Sequence, residues 1–303
     1  MGFTLTLNKL NFKLKQALAI SSNSKIKNFD IVTGSKMIPH QKKVETGGED
    51  SFLVCEDLVM VADGVGGWAG KGVDPGLFSR ELRDNLKEEY FKRKEMITDE
   101  YEMKNSLIEA LKKTKSKGSS TVALLLINQK TKKLHATYVG DSLYMILRYS
   151  TDKEVFECYY KSNEQQHKFN QPFQIGTNGD SPNLAIIESH DIFDKDIVIV
   201  ASDGLWDNLY DEMILEIIND KVKMLDGRLS NVECEVIAEI LASLAEKKSK
   251  DINYESPFSK RARMKGYQYF GGKEDDITIV VTQVKAVSDE DSQSQSLFEN
   301  GNI

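Results

Sequence analysis

Short, nearly uninterrupted apolar runs recur along this chain at residues 58–62, 122–127, 196–201 and 277–281. Runs of that length bounded by turn residues read as buried strands. Further strands are expected at 134–139 and 143–148; with 122–127 they form an antiparallel meander turning at 128–133 and at Gly140-Asp141-Ser142. Elsewhere the apolar positions recur at helical spacing. Leu77, Phe78, Leu82, Leu86 and Tyr90 share one face of a helix over 76–95, and Met103, Leu107, Ile108 and Leu111 one over 101–115. A helix is expected over 211–219, and another over 232–247 with Val236, Ile240, Leu241 and Leu244 apolar. Residues 29–44 show no clear period, and 47–55 read as a turn entering a strand. Residues 162–183, polar and rich in Gln and Asn, read as a long ordered loop, and 249–269 as basic and irregular. Strand follows strand without an intervening helix, which argues against a doubly wound parallel sheet.

Composition narrows the class. A chain of 303 residues with 40% hydrophobic content and a net charge of −7 can build one large or two small domains with ample core. Cys55, Cys158 and Cys234 are far apart and odd in number, so neither a disulfide framework nor a Cys-x-x-Cys site is supported, and a reducing compartment fits. The acidic balance and the lack of a basic, aromatic-interleaved stripe argue against nucleic acid as a partner. The longest apolar stretch, 121–127, falls far short of the ~20 residues that span a bilayer, so a soluble protein, read as a monomer, is expected.

The two ends differ from the middle. Residues 1–28 carry Lys9, Lys13, Lys15, Lys25 and Lys27, with no acid before Asp30, and Leu7, Leu10, Leu14 and Leu18 at near-helical spacing. This is the pattern of a basic amphipathic targeting segment. Met1-Gly2 with Thr6 also matches an N-myristoylation pattern formally, and an inert leader is the third reading. Residues 287–303 are Ser, Asp, Glu, Gln and Asn in the main, the composition of a disordered tail. The folded domain is therefore expected over 29–286.

The candidate chemistry lies at the strand ends. Asp63-Gly64-Val65-Gly66-Gly67 closes the run 58–62; alone it reads as a glycine-rich turn whose Asp closes an Asx-turn. The arrangement recurs, however, in Val139-Gly140-Asp141, in Ser202-Asp203-Gly204 and in Asp275-Asp276 ahead of Ile277. Four apolar strands that each carry an acid at a terminus would bring carboxylates to one rim of a sheet. Crowded acids repel unless cations sit among them, and an all-oxygen donor set selects hard ions such as Mg²⁺ or Mn²⁺ over zinc. His40, His135, His167 and His190 are widely spread and show no zinc-ligand spacing. Two ions bridged by one carboxylate can activate a water and clamp a phosphoryl group.

In order along the chain, Glu49-Asp50, Asp63-Gly64-Val65-Gly66-Gly67, Gly118-Ser119-Ser120-Thr121, Gly140-Asp141-Ser142, Ser202-Asp203-Gly204-Leu205-Trp206-Asp207 and Asp275-Asp276-Ile277-Thr278 resemble the motifs of the metal-dependent serine/threonine protein phosphatases of the 2C class. The likeness runs from about His40 to Val284. Gly66-Gly67-Trp68, Gly72-Val73-Asp74-Pro75-Gly76, Phe78-Ser79-Arg80-Glu81-Leu82, Gln165-Gln166-His167 and Gly271-Gly272-Lys273 look like that family's mitochondrial branch, which supports the targeting reading; the matrix is the expected location and the cytoplasm the alternative.

The resemblance implies an α+β fold, a four-layer α/β/β/α sandwich of two antiparallel sheets flanked by helices, with two Mn²⁺ or Mg²⁺ ions at one end. It implies that Asp63 bridges the ions, that Gly64 gives its carbonyl to one, that Asp203 and Asp275 ligate the other, and that Glu49 and Asp50 hold waters. Asp141 and Asp207 match positions that bind a weaker third ion in some members. It further implies hydrolysis of phosphoserine and phosphothreonine in protein substrates by a metal-activated water, with no phosphoenzyme. Two positions depart from the pattern. Val65 stands where many relatives have a histidine that protonates the leaving group, which leaves His40 or a water as candidate acid. Lys42 and Lys43 stand near where relatives have a phosphate-binding arginine, and lysine offers a point charge without the bidentate fork. A catalytically weak adaptor and a small-molecule phosphohydrolase are the competing functions; acids at every metal position favour the enzyme.

Overall fold

Leu58, Met60 and Ala62 face one way, Val59 and Val61 the other, and both sets are buried. A strand covered on both sides has no polar face to show, so its sequence is a continuous apolar run. The same holds for Val122–Asn128 and Ile197–Ala201, and it fixes the layering of the computed structural model. Residues 29–287 except 224 and 226 are described; the expected leader and, beyond residue 287, the expected tail lie outside the described residues.

In chain order the elements are β1 (Phe29–Ile38), β2 (Asp50–Cys55), β3 (Leu58–Asp63), α1 (Pro75–Arg93), α2 (Glu100–Lys113), β4 (Ser119–Ser120), β5 (Val122–Asn128), β6 (Lys133–Val139), β7 (Leu143–Ser150), β8 (Val155–Lys161), β9 (Gln166–Lys168), β10 (Gln171–Pro172), β11 (Ile175–Gly176), β12 (Ile186–Asp191), β13 (Ile197–Ala201), α3 (Asp203–Trp206), α4 (Asp211–Val222), α5 (Asn231–Ser249), α6 (Pro257–Met264) and β14 (Ile277–Ala286). Two five-stranded antiparallel sheets run β12-β6-β5-β3-β2 and β1-β14-β13-β7-β8. Val61, Leu125 and Tyr138 from the first meet Tyr144, Val200 and Val280 from the second in the central core. Helices α1 and α2 cover the first sheet through Phe78, Leu82, Met103 and Leu107, and α4 and α5 cover the second through Ile214, Ile218, Ile237 and Leu241. The protein is thus the expected four-layer α+β sandwich. Among the described residues, no helix is long and apolar enough to cross a membrane.

Several sequence expectations need correction. The three strands over 122–148 are not one meander: β5 pairs with β6, but β7 crosses to the other sheet and pairs with β13 and β8. Gly140, at φ +97°, begins that crossing. Residues 29–44 begin with a ten-residue strand paired along its length with β14. Its period is hidden because α5 lies so close that a Cβ on Gly34 would fall 2.0 Å from the Glu235 nitrogen. For the same reason the inner face of α5 uses the small residues Cys234, Ala238, Ala242 and Ala245, while Val236 is exposed and Ile240 and Leu244 are only half-buried. Leu77 likewise points outward from α1. The 162–183 loop contains two short pairings, β9 with β10 and β11 with β4. The 249–269 segment contains α6, whose first turn Ser256 caps by accepting from the Ser259 N–H.

Candidate functional site

Because both sheets are antiparallel, strand starts and ends alternate at each edge, and one edge collects the acids. At the end of β3, Asp63 is paired across the ladder with Asp50 at the start of β2. Asp141 follows β6, Asp203 follows β13, and Asp275 and Asp276 precede β14. The acids therefore line a rim shared by two sheets, rather than the edge of one. Asp63, Asp141 and Asp203 each offer a carboxylate oxygen, and these oxygens lie within 4.8 Å of one another.

Backbone contacts keep the rim rigid. The Gly64 N–H donates to the Glu49 carbonyl at 3.1 Å, and a Cβ there would lie 2.6 Å from that oxygen and 2.9 Å from the Pro75 carbonyl, so only glycine fits. Ser120 donates its hydroxyl to the Asp63 carbonyl at 2.7 Å. Ser202 donates to Asp50 Oδ2 at 2.8 Å and accepts from the Thr278 N–H, which ties β2 in one sheet to β13 and β14 in the other.

Like charges directly opposite in a ladder destabilise it, and Asp50 is almost fully buried opposite Asp63. Burial, then the Asp276 charge, pushes Asp50 up to about 7. Burial pushes Asp141 up to about 7 as well, with Lys273 opposing the shift and Asp207 adding to it. Asp63 is driven well above the usual carboxylate range by burial and then by Asp50, Asp203, Asp275 and Asp141. Asp203 is raised the same way, first by burial, against Lys273. Asp50 Oδ1 and Asp203 Oδ1 are buried without a hydrogen-bond partner among the described residues. Unpaired inward oxygens on crowded carboxylates are what hard divalent cations require, so the donor set fits Mg²⁺ or Mn²⁺.

Glu49, Asp50, Asp63, Gly64, Asp141, Asp203 and Asp275 are thus gathered at one edge. Asp207 lies there too, but its carboxylate is already held by Lys273 at 2.8 Å and by Arg261. Lys43 Nζ is 2.5 Å from Glu49, 3.1 Å from Asp276 and 3.5 Å from Asp275, an internal counter-charge, whereas Lys42 is exposed. His40 caps the short helix Gln41–Thr46, its Nδ1 accepting from the Lys42 N–H, and its Nε2 lies 3.9 Å from Glu274.

Four contributors carry roles that the sequence did not assign: Ser202, Lys273 and Asp276, which stand within its motifs, and Arg261, which stands outside them. Asp276 accepts from the His40 and Glu49 N–H groups at 2.6 and 2.9 Å and from Lys43, clamping residues 40–49 onto β14. For Lys273 the two glycines ahead of it were a signal of close packing. Arg261 had none, since Asp207 is 54 residues away in the chain.

A polar cavity of about 350 Å³ opens beside Val65. Trp68, Lys71, His167, Gln174 and Asp180 line it. Trp68 Nε1 donates to Ser119 Oγ at 2.6 Å and that hydroxyl to Gln174 at 2.5 Å; His167 stacks on Phe173 at 4.0 Å and pairs with Asp180 at 2.9 Å. His167, Gln174 and Asp180 of the 162–183 segment thus form one wall of the cavity.

No family model matches the chain. It is 37% identical over 272 residues to the probable protein phosphatase 2C 55 of Arabidopsis thaliana, covering 87% of this chain and 54% of that protein, so it spans about half of that relative's length. It is 34% identical to the probable protein phosphatase 2C 1 of Oryza sativa subsp. japonica, covering 85% of this chain and 76% of that protein. Among solved structures, the photosystem II phosphatase PBCP superposes with a TM-score of 0.74 at 33% identity, over 85% of this chain and 100% of that one. With the sandwich, its acid rim and a rice relative 34% identical that is matched over 76% of its length, this chain belongs to the protein phosphatase 2C family.

Proposed function

We propose that this protein hydrolyses phosphoserine and phosphothreonine in protein substrates with two divalent ions, Mn²⁺ or Mg²⁺, held at the acid rim. The observation that carries the proposal is the convergence of Asp63, Asp141 and Asp203 oxygens within 4.8 Å on a rim where Asp50 already opposes Asp63. Asp63, the Gly64 carbonyl, Asp203 and Asp275 would hold the ions, and Glu49 and Asp50 would accept hydrogen bonds from waters around them. When bound, such ions lower the pKa of a water and offset charge on the phosphoryl oxygens. Lys43 fixes Glu49, which its Nζ meets at 2.5 Å. The cavity beside Val65 seats the peptide flanking the phosphorylated residue. Val65 cannot donate a proton, so the leaving oxygen takes one from water or from His40, whose Nδ1 is committed as a cap and whose Nε2 lies 3.9 Å from Glu274. Cys55, Cys158 and Cys234 are all free thiols.

The test compares hydrolysis of an aryl phosphate and a phosphothreonine peptide with Mn²⁺, with chelator, and with Asp63→Asn and Asp203→Asn. Each variant is expected to lose about 100-fold or more. Wild-type activity no higher than that of the variants would overturn the enzyme reading, and aryl phosphate turnover without peptide turnover would move the substrate to small molecules. We also propose that the basic segment 1–28 directs import into the mitochondrial matrix; a fusion of that segment to a fluorescent reporter that stays diffuse in the cytosol sinks this assignment.

A further inference from the structure

Lys273 is a rim group that no ligand role accounts for. Its backbone is pinned twice to buried Asn208: the Lys273 N–H donates to Asn208 Oδ1 at 2.9 Å, and its carbonyl accepts from Asn208 Nδ2 at 2.8 Å. The two preceding glycines press this stretch onto the C-terminal end of α5. Gly271 has φ +82°, and a Cβ on Gly272 would fall 2.1 Å from the Lys248 carbonyl oxygen. So anchored, the side chain runs inward with 15% exposure, and Nζ contacts Asp203, Asp207 at 2.8 Å and Asp275 at 3.3 Å. Arg261, from α6, reaches the other oxygen of Asp207 and Glu164 at 3.2 Å. Both Asp207 oxygens are thereby taken by cations of the chain itself.

We propose that Lys273, braced by Arg261, is a tethered cation that fills the Asp207 side of the rim and limits the centre to two divalent ions. This rests on the two-ion reading above. An ion bound ~2.1 Å from Asp207 Oδ2 would stand no more than about 5 Å from the ammonium that already contacts that oxygen. The ammonium and an ion would compete for that one oxygen, and with little screening at a buried site the tethered charge disfavours the ion. Asp203 and Asp275 are shared differently: Asp203 Oδ2 faces Lys273 while its Oδ1 has no partner, and the Asp275 oxygens meet Lys273 and Lys43 only at 3.3 and 3.5 Å, so both acids stay available to an ion. The Gly-Gly-Lys stretch then has a purpose, because a fixed amine cannot be diluted away as a weakly bound ion can.

The measurement is the number of Mn²⁺ ions bound per full-length chain at saturation, from the electron paramagnetic resonance signal of free Mn²⁺ and from calorimetry. Wild type is expected to bind two, Lys273→Met three with the added one weaker, and Asp207→Asn still two. Asp207→Asn covers the case in which Lys273→Met does not fold. Three ions on wild type, only two on folded Lys273→Met, or loss of an ion in Asp207→Asn each overturn the proposal while leaving the two-ion reading standing. Wild type that binds no Mn²⁺, or Asp63→Asn that binds as much as wild type, overturns that reading and the proposal with it.

Discussion

Ser202 and Gly204 flank Asp203 and carry as much of the rim's geometry as the acids do. The Ser202 hydroxyl serves a buried carboxylate and a buried N–H at once, so Ser202→Ala strands both. Its expected cost is about 1–3 kcal/mol, read as a lower urea midpoint at unchanged slope in metal-free protein. Gly204 is a matter of space. A Cβ there would lie 2.1 Å from the Asp276 carbonyl oxygen, and the obstacle is backbone that no rotamer change can clear. Gly204→Ala is therefore expected to cost at least about 1–3 kcal/mol and to weaken Mn²⁺ binding, because relief requires Asp203 to move away from the Asp275-Asp276 segment. A variant as stable as wild type, binding Mn²⁺ equally well, would show that the two segments can part freely.

Segments meet at the rim through Asp276. It gathers two N–H groups from the turn before β2 and the ammonium of Lys43, and so sets where Glu49 stands relative to β14. Asp276→Asn keeps the shape but removes the charge opposite Lys43 and can leave an amide facing an N–H. A loss of about 2–4 kcal/mol in stability is expected, with Mn²⁺ affinity falling about 10-fold or more as Glu49 shifts; calorimetry on the same samples reads both. This clamp also marks the limit of what sequence made legible. An acid ending an apolar run is a local pattern, so Asp63, Asp141, Asp203 and Asp275 could be picked out residue by residue. That Asp276 would hold residue 40, 236 positions away, or that Arg261 would reach Asp207, is set by how layers close on one another. The same distinction explains the elements. β5 and β6 were legible because the turn joining them is short and polar, whereas the passage of β7 to the other sheet depends on Gly140 at positive φ and on which partner strand waits there. The α5 helix was legible as a helix but not in its inner face, which close approach at Gly34 gave to alanines.

Across the whole molecule, the rim makes stability depend on protons and on metal in opposite senses. Without metal, Asp50 and Asp141 titrate near about 7 in the folded protein against 3.8 in the unfolded chain, chiefly through burial, and Asp63 and Asp203 are raised further still. Between 3.8 and about 7 the folded state holds protons that the unfolded state has released, so stability falls as pH rises through that window. Asp275 runs the other way: burial pushes it up, but Lys273 and Lys43 outweigh burial and hold it below its ordinary value. Glu49 is raised too, chiefly through burial, so one lowered carboxylate against five raised ones leaves the slope negative. Divalent ions bind the deprotonated form, so their stabilising effect grows with pH, reaching about 2.7 kcal/mol when the free ion is at 100 times its Kd. Melting temperatures in chelator are therefore expected to fall from pH 5.5 to pH 8, and Mn²⁺ to raise them most at pH 8. In Asp50→Asn, which removes one of the two opposed charges, the decline in chelator should shrink. A melting temperature in chelator that holds level or climbs from pH 5.5 to pH 8 would mean that Lys43, Lys273 and Arg261 already balance the acids, and that the fold has no need of metal to keep them together.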